Sequence, residues 1–503
     1  MKTNKLLAAG ALALSMTMSP FASLINTMPL TVHAAETQYT ISVDENDGHT
    51  YKVYQIFTGD LDKDGNLSNI KWGKNGTSAD GTSAVGKSVP DTIIKAILDT
   101  KEKSNKEKLD VITQYVNTNS APVGTVSKDK PLNVVAGYYL ITENGAVTGN
   151  DSSTLFLAEV AGNVKISPKK DVPHVEKKVK DKNDTNGTTT GWQDSADNDF
   201  EDQVDFKLEA TLPKNYTDYS KYTLVFHDTY DTNAFEFVQD SLEVKYGTDE
   251  ANATTIESSK YSTETAEGDN LTVTFNDLKT AVPEATNGTK IFVTYKLKLK
   301  DSAALGKTQL NQNTVYLEFS NNPNVGHDGE KGTTPNDTVR VFTYKVTVTK
   351  TDNENKPLSG AGFTLYKKVK NAQGNLEEVK IGDEIKPESG NTFEFKGLDD
   401  GTYVLKETTV PTDYSKANDI EFTITATHDV NSENPQLTLI TINKEGFVVD
   451  ESTMNITTQV VNTREGSLPE TGGMGTTMIY SAGALLAVGA AVVYVTNKRT
   501  RKN

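Results

Sequence analysis

The stretch Ile291-Phe292-Val293-Thr294-Tyr295-Lys296-Leu297-Lys298-Leu299 places an apolar residue at every second position. A period of two is typical of a β-strand with one face in a hydrophobic core, whereas an amphipathic helix repeats every three or four residues. Similar runs occur at 204–208, 224–226 and 315–319, and Asn, Asp and Gly residues separate them. The region from 171 to about 344 is therefore predicted to be an all-β sandwich.

Strand parity points three polar residues of this region into the core: Lys177, Asp228 and Asn313. A buried lysine charge is costly unless it is paired or neutralised. Apolar surroundings lower the pKa of a lysine and raise that of a carboxyl group, which gives a neutral amine beside a protonated acid. Such an amine can attack the Asn side-chain carbonyl and release ammonia, so we predict a Lys–Asn isopeptide bond. The alternatives are a plain buried ion pair, or a bond to a neighbouring asparagine, Asn311, Asn321 or Asn322.

The segment after residue 344 repeats this order of lysine, acid and asparagine. Lys350, Glu407 and Asn462 each share parity with apolar neighbours on their own predicted strands. Around the acid the sequence reads Tyr403-Val-Leu405-Lys-Glu407-Thr408-Thr-Val-Pro411-Thr-Asp-Tyr414. The plainer alternative for this stretch is a surface hairpin with a solvated glutamate.

The first segment, 35–168, mixes strand-like runs such as 51–57 with two helical patterns, near 90–99 and 106–117. It is predicted to be a mixed α+β domain. Asp60, Asp62 and Asp64 resemble the start of a calcium loop, but Lys71 stands at the twelfth position, where a bidentate glutamate is needed. We therefore predict a β-turn at Asp64-Gly65 and no metal site.

Each end of the chain has an apolar run that predicts a targeting or anchoring segment. Residues 1–34 have basic residues before a short apolar run and small residues near Ala34, which predicts a cleaved signal peptide. At the other end, Leu468-Pro469-Glu470-Thr471-Gly472 precedes an apolar run from about 474 to 496 and a basic tail. This run is long enough to cross a bilayer as a helix, and the tail should stay cytoplasmic. A simple membrane anchor is the alternative.

The first segment ends with Val160-Ala-Gly-Asn-Val164-Lys-Ile166-Ser167-Pro168-Lys169. The alternation of Val164 and Ile166 predicts a last strand, and Pro168 cannot donate to a sheet, so Lys169 should leave the sheet edge exposed. Lys170 is adjacent and is the alternative reactive amine. A solvated linker with two ordinary lysines is the plainer interpretation.

Taken in order, these motifs resemble those of sortase-assembled backbone pilins of Gram-positive bacteria. Residues 468–472 match the LPXTG cell-wall sorting signal. Residues 160–169 are similar to the pilin motif WxxxVxVYPK, with Val160 and Ser167 as departures. Residues 403–414 resemble the E-box YxLxETxAPxGY, with Val410 and Asp413 as departures. Residues 360–365 resemble the second strand of collagen-adhesin B-type (CNA-type) domains.

This resemblance implies a mainly β chain in which an α+β domain, 35–168, precedes two tandem Ig-like, CNA-type sandwiches, 169–345 and 346–466, and the sorting signal, 468–503. It implies that a sortase joins subunits head to tail, from Thr471 of one copy to Lys169 of the next, and anchors the pilus to peptidoglycan. It also implies internal cross-links in two sets, with Asp228 and Glu407 as promoting acids: Lys177, Asp228, Asn313 and Lys350, Glu407, Asn462.

The expected partners are sortase, other copies of this chain, minor pilins and peptidoglycan. The chain is expected to be secreted and anchored at the cell wall as part of a surface pilus that supports adhesion. A net charge of −17 makes nucleic acid an unsuitable partner. The chain has no cysteine, so any covalent staple must be another bond. We find no catalytic or metal motif and predict neither cofactor nor enzyme activity beyond single-turnover bond formation. A non-polymerised, accessory anchored adhesin and a wall-anchored enzyme are the alternative function classes.

Overall fold

The computed structural model describes residues 37–464, apart from 83–84, 101–102, 104, 168–170, 266–269, 309 and 325–328. Strands make up 49% of the described residues and helices 7%, which confirms the prediction of a mainly β protein. Among the described residues, no helix has the length and hydropathy to cross a membrane. The predicted signal peptide, the acceptor residues Lys169 and Lys170, and the sorting signal at 468–503 lie outside the described residues.

The first region, residues 37–167, contains two sheets and the two predicted helices. Its strands are β1 (Gln38–Val43), β2 (Thr50–Leu61), β3 (Leu67–Trp72), β4 (Gly124–Ser127), β5 (Leu132–Val135), β6 (Gly137–Glu143), β7 (Leu155–Val160) and β8 (Val164–Ile166). Its helices are α1 (Asp91–Leu98) and α2 (Asn105–Ile112), followed by a 3₁₀ turn at Thr113–Tyr115. One sheet has the order β5-β1-β8, and the other has the order β3-β2-β6-β7 with β4 beside β2.

Local sequence explains several features of this region. Both helices turn apolar residues such as Ile97 and Ile112 into the core around Trp72, as their spacing predicts. Asp62 Oδ1 accepts hydrogen bonds from the backbone N–H groups of Asp64 and Asn66, at 2.8 and 2.9 Å, so the 62–66 loop is a tight turn. The predicted last strand is confirmed as β8, which runs parallel to β1.

The second region, residues 171–343, is a β-sandwich. Its strands are β9 (His174–Val179), β10 (Lys182–Asn183), β11 (Thr188–Thr189), β12 (Ser195–Asp197), β13 (Gln203–Thr211), β14 (Leu224–Tyr230), β15 (Phe235–Phe237), β16 (Glu243–Gly247), β17 (Thr254–Thr255), β18 (Ser262–Glu264), β19 (Leu271–Phe275), β20 (Lys290–Leu299), β21 (Asn311–Ser320), β22 (Lys331–Thr333) and β23 (Asp337–Phe342). One sheet has the order β17-β16-β20-β13-β9 with β15 beside β20. The facing sheet has the order β12-β23-β21-β14-β19-β18 with β22 beside β21.

Helical structure extends slightly beyond the first region, where the sequence patterns had placed all of it. The second region contains one helical turn, α3 (Leu278–Ala281), and 3₁₀ turns at Tyr216–Asp218 and Ser258–Lys260. Asp277 caps α3 by accepting a hydrogen bond from the backbone N–H of Lys279. Turns this short are below the length at which hydrophobic periodicity can be read.

The third region, residues 344–464, is a smaller sandwich. Its strands are β24 (Tyr344–Asp352), β25 (Gly362–Lys370), β26 (Leu376–Ile385), β27 (Thr392–Leu398), β28 (Gly401–Thr409), β29 (Ile420–His428), β30 (Leu437–Ile442), β31 (Phe447–Val449) and β32 (Ile456–Asn462). The two sheets have the orders β27-β24-β32-β31 and β26-β25-β28-β29-β30. The first strand, β24, lies parallel to the last, β32, so the two ends of the region are side by side.

The cores of the second and third regions follow the predicted parity. Buried Phe206, Phe226 and Tyr295 lie in the core of the second sandwich, and Phe363 and Tyr403 in that of the third. Along most of β20 and β21 and along β32, buried and more exposed positions alternate, as the period of two in the sequence requires. Polar side chains that share the buried parity are therefore enclosed between the sheets.

Candidate functional site

The first candidate site lies between the two sheets of the second region. Lys177 on β9 and Tyr295 on β20 extend from one sheet, and Asp228 on β14 and Asn313 on β21 extend from the other. The side chains of Lys177 and Asp228 are both 0% exposed, and Lys177 Nζ lies 2.8 Å from Asp228 Oδ1. Parity therefore predicted the inward orientation of all three polar residues correctly.

The hydroxyl group of Tyr295 joins this site together. It accepts hydrogen bonds from Lys177 Nζ at 2.9 Å and from Asn313 Nδ2 at 2.8 Å. It donates its own hydrogen to Asp228 Oδ2. Sequence analysis placed Tyr295 on an inward-facing strand position but gave it no role, because a tyrosine in an apolar run is typical of a residue packed in the hydrophobic core.

Burial favours the neutral form of the Lys177 amine. Removal from water lowers the pKa of Lys177 below its ordinary value, although the carboxylates of Asp228 and Asp337 oppose the shift. A lowered pKa favours the neutral amine, which is the nucleophilic form of a lysine. The site thus holds an amine that can lose its charge, a carboxyl group that can take the proton, and an amide.

The structure distinguishes Asn313 from the alternative asparagines. Asn311 hydrogen-bonds through both amide atoms to the backbone of Ala304, and it also donates to the Val341 carbonyl. Asn321 donates to the backbone of Val147 in the first region, and Asn322 to Glu330. Asn313 is the candidate whose amide nitrogen reaches the cluster that contains Lys177. The geometry therefore supports Asn313 as the electrophile.

The second candidate site joins the first and last strands of the third region. Lys350 lies on β24, Asn462 on β32 and Glu407 on β28 of the facing sheet, and all three are buried. Asn462 Nδ2 donates to Glu407 Oε1 at 2.7 Å, and Glu407 Oε2 accepts from the backbone N–H of Ala417 at 2.7 Å. Lys350 Nζ donates to the backbone carbonyls of Thr351 and Val460, at 3.1 and 3.3 Å.

The Lys350 amine is also shifted towards its neutral form. Burial lowers the pKa of Lys350 to about 8, against the opposing charges of Glu407 and Asp352. Because backbone carbonyls accept its hydrogens, the amine is held beside β32, the strand that carries Asn462. Both sites therefore combine a lysine amine, a carboxyl group and an asparagine amide. The neighbouring residues that contact these groups differ between the two sites.

Both candidate asparagines leave the same atom unsatisfied. Asn313 Oδ1 and Asn462 Oδ1 are buried, and neither accepts a hydrogen bond from any described residue. A buried polar atom without a partner costs free energy. The same oxygen is also unsatisfied in Asn198, Asn215 and Asn321, so this feature identifies a candidate only where a lysine amine and a carboxyl group lie in the same site. Here the unsatisfied oxygen belongs to the carbonyl group that the lysine would attack.

A third buried lysine provides a contrast. Lys367 Nζ lies 2.5 Å from Asp199 Oδ2 and 2.6 Å from Asp399 Oδ1. Burial alone would lower the pKa of Lys367, but Asp399 and Asp199 outweigh this effect and raise it. Lys367 is therefore held as an ammonium ion in a structural ion pair. Burial of a lysine is not sufficient for a reactive site.

Lys367 belongs to a polar contact between the second and third regions. Ser195 Oγ hydrogen-bonds to His428 Nδ1 at 2.7 Å, and Asn183 Nδ2 donates to Asp400 Oδ1 at 2.6 Å. Burial and neighbouring aspartates raise the pKa of Asp197, Asp399 and Asp400. Several carboxyl groups here are therefore protonated more readily than usual.

Two groups in this contact have side-chain atoms close enough to surround one cation: Asp181, Asp197 and His428, and Asp184, Asp199 and Asp202. The structure gives several of these atoms protein partners, because Tyr344 donates to Asp197 at 2.7 Å and Lys367 pairs with Asp199. Sequence analysis singled out neither group, and in the first group His428 is distant in sequence from the two aspartates that it approaches. The ammonium group of Lys367 already supplies positive charge to the second group.

We expect Asp202 to make this contact sensitive to pH. Burial, followed by the charges of Asp199 and Asp184, raises its pKa from 3.8 to about 6. Between these values the unfolded chain ionises the carboxyl group first, so the free energy of unfolding falls as the pH rises through the window. Asp202→Asn should remove this slope, worth about 1–2 kcal/mol after allowance for partial exposure, in urea unfolding measured from about pH 4 to 7. An unchanged slope would contradict the assignment, and Asp205→Asn, at a partly exposed carboxyl group, is the control.

Comparisons with known proteins agree with the fold. Residues 344–436 match the family model described as SpaA, a prealbumin-like fold domain. The T6 backbone pilin of serotype M6 Streptococcus pyogenes has a similar structure, with a TM-score of 0.53 and 16% identity over 85% of this chain and 98% of that chain. The full-length major pilin SpaD from Corynebacterium diphtheriae gives a TM-score of 0.47 and 19% identity over 86% and 98%.

A search of curated proteins by sequence finds no match. At 16% identity, the likeness to the streptococcal structure shows a shared fold and nothing finer. The matched 344–436 segment includes Lys350 and Glu407 and ends before Asn462. The sandwich that contains the second candidate site is thus of the prealbumin-like SpaA type.

Proposed function

We propose that this chain is the backbone subunit of a covalently polymerised surface pilus of a Gram-positive cell. The observation that carries the proposal is the pair of buried Lys–acid–Asn sites in two successive β-sandwiches. The fold shared with a backbone pilin and the motifs at 160–169 and 468–472 support it. On this proposal the chain has three domains, 35–168, 169–345 and 346–466, and its role is structural.

The proposed assembly uses residues outside the described part of the chain. A sortase would cleave after Thr471 and transfer its carbonyl group to Lys169 of another copy. Transfer to an amine of the peptidoglycan precursor would instead end growth and anchor the pilus to the cell wall. Minor pilins would join through the same chemistry.

Each proposed internal bond forms by the same balanced reaction. The neutral lysine amine attacks Asn Cγ, one proton moves from Nζ to Nδ2, and the Cγ–Nδ2 bond breaks with its electron pair on nitrogen. The products are a secondary amide and one molecule of ammonia. In the second region this links Lys177 to Asn313, and in the third region Lys350 to Asn462.

The two bonds differ in the strands that they join. The Lys350–Asn462 bond connects β24 and β32, the first and last strands of the third region. In the second region, however, Asn313 lies on β21, and β22 and β23 follow it. A bond in the second region would therefore join its first strand to one that two further strands follow, and β23 lies between β21 and β12 at the end of that sheet.

Intact mass spectrometry tests the internal bonds. We expect the purified ectodomain to weigh less than its sequence by two molecules of ammonia. Asp228→Ala and Glu407→Ala should each restore one, because without the acid no carboxyl group relays the protons or polarises the Asn carbonyl. Each loss should also lower stability by about 2–5 kcal/mol, by analogy with removal of a disulfide. The matched control is Glu209→Ala, a mostly buried acid paired with Lys207 and Lys290.

Two outcomes would count against parts of this account. A mass equal to that of the sequence would rule out both bonds and leave plain buried ion pairs. A tryptic peptide that links Lys177 to Asn311 would move the site by one inward-facing position on β21. The control variant should keep both bonds, since no asparagine takes part in its ion pairs.

A further inference from the structure

We propose that Tyr295 is a catalytic residue of bond formation in the second region, where its hydroxyl group carries a proton from Lys177 to the departing amide nitrogen of Asn313. This inference rests on the internal bond proposed above. Tyr295 OH is within hydrogen-bond distance of both reacting nitrogens, at 2.9 Å from Lys177 Nζ and 2.8 Å from Asn313 Nδ2. It is also bonded to the promoting acid, Asp228.

The reaction needs such a relay because the two nitrogens must exchange a proton. Asp228 takes the first proton from the lysine ammonium and leaves a neutral amine. Attack on Cγ forms the Nζ–Cγ bond and moves the carbonyl electrons to Oδ1. Nζ then passes a proton to the Tyr295 oxygen while the tyrosine gives its own proton to Nδ2. The Cγ–Nδ2 bond breaks, ammonia leaves, the carbonyl reforms and Tyr295 is unchanged.

The surroundings of Tyr295 fit this role. Its ring packs against Phe206 and Phe237, with centroid separations of 5.7 and 6.1 Å, so the hydroxyl group is held in place. Burial and the neighbouring Asp228 raise the pKa of Tyr295 well above its ordinary value, which keeps the phenol protonated. A protonated phenol can donate and accept at the same moment, as a relay must.

In the third region, proton transfer to the departing amide nitrogen needs no tyrosine. Asn462 Nδ2 donates directly to Glu407 Oε1 at 2.7 Å, so the carboxyl group can itself return a proton to the departing nitrogen. Tyr403 is a buried tyrosine on β28, the strand that also carries Glu407, but it donates to Asp399 Oδ1 at 2.9 Å. The same chain therefore contains one site with a phenol relay and one with a direct contact.

The test is the rate of each bond in Tyr295→Phe. The full ectodomain is sampled at intervals after synthesis, and tryptic peptides report the Lys177–Asn313 and Lys350–Asn462 bonds separately. We expect Tyr295→Phe to slow the first bond by about 100-fold or more, the usual range for loss of a proton-transfer group, and to leave the second at the wild-type rate. Tyr403→Phe, which removes another buried hydroxyl–aspartate bond, should slow neither.

A second measurement separates proton transfer from packing. Asn313→Ala also lacks the first bond but keeps Tyr295 and the Lys177–Asp228 pair, so freshly made Tyr295→Phe should unfold at a similar urea concentration. Wild-type kinetics in Tyr295→Phe would overturn the inference and leave the bond itself intact. Loss of both bonds would also overturn it, since that result indicates a general packing role. Absence of the first bond from the wild-type protein would overturn the proposed bond together with its relay.

Discussion

In cell-wall extracts boiled in SDS, Lys169→Ala should abolish the high-mass ladder of polymers and leave monomer attached to the cell wall. The acyl group formed at Thr471 would then lack its acceptor in the next subunit, while amines of the peptidoglycan precursor remain available. Thr471→Ala should remove both the ladder and the anchored monomer, because no acyl group forms. Immunoblots of the wall and culture fractions measure both effects.

The neighbouring lysine is the matched control for this experiment. Lys170→Ala keeps the length and composition of the stretch after Pro168 and should leave the ladder intact. A full ladder in Lys169→Ala together with its loss in Lys170→Ala would move the acceptor by one residue. If the ladder is absent from the parent strain, or survives the double change, the chain is an anchored adhesin instead of a backbone subunit.

Pulling a single subunit between residues 169 and 464 should extend only the chain outside the two bonded loops, chiefly residues 314–349. Force would enter at Lys169, cross the Lys177–Asn313 bond, and leave through the Lys350–Asn462 bond, so residues 178–312 and 351–461 carry no load. Loss of the first bond through Asp228→Ala should release roughly 450 Å of chain, and loss of the second through Glu407→Ala roughly 370 Å, at full extension. The first region lies outside this path.

Single-molecule force spectroscopy measures these increments directly. Glu209→Ala removes a mostly buried acid from the same sandwich and should add neither increment. A wild-type subunit that releases both lengths would show that its sandwiches are held by hydrogen bonds alone. Release of only one length would show which of the two bonds is missing.

The fold could be predicted from sequence patterns because most of the chain forms β-strands, in which side chains alternate between two faces. A period of two places alternate side chains on one face of a strand, and the same parity correctly buried Lys177, Asp228 and Asn313. The helices of the first region were also predicted, within a few residues, from their apolar spacing. Parity states which face a residue occupies, so it could not distinguish Asn313 from Asn311, which lies on the same face.

The contacts that sequence analysis missed depend on residues far apart in the chain. Tyr295 reaches Asp228 and Asn313 only because the two sheets face each other, and no local spacing encodes that distance. Likewise, Lys367 has the parity of a buried lysine but meets Asp199 of the preceding region, which keeps it charged. The difference between a reactive and an inert buried lysine thus arises from tertiary packing.

The most direct test of the backbone-subunit proposal is tandem mass spectrometry of a tryptic digest of the purified high-mass polymer. We predict a branched peptide in which the carbonyl carbon of Thr471 is bonded to Nζ of Lys169 from another copy. A polymer fraction in which Thr471 is joined only to peptidoglycan amines, with Lys169 unmodified throughout, would contradict the proposal.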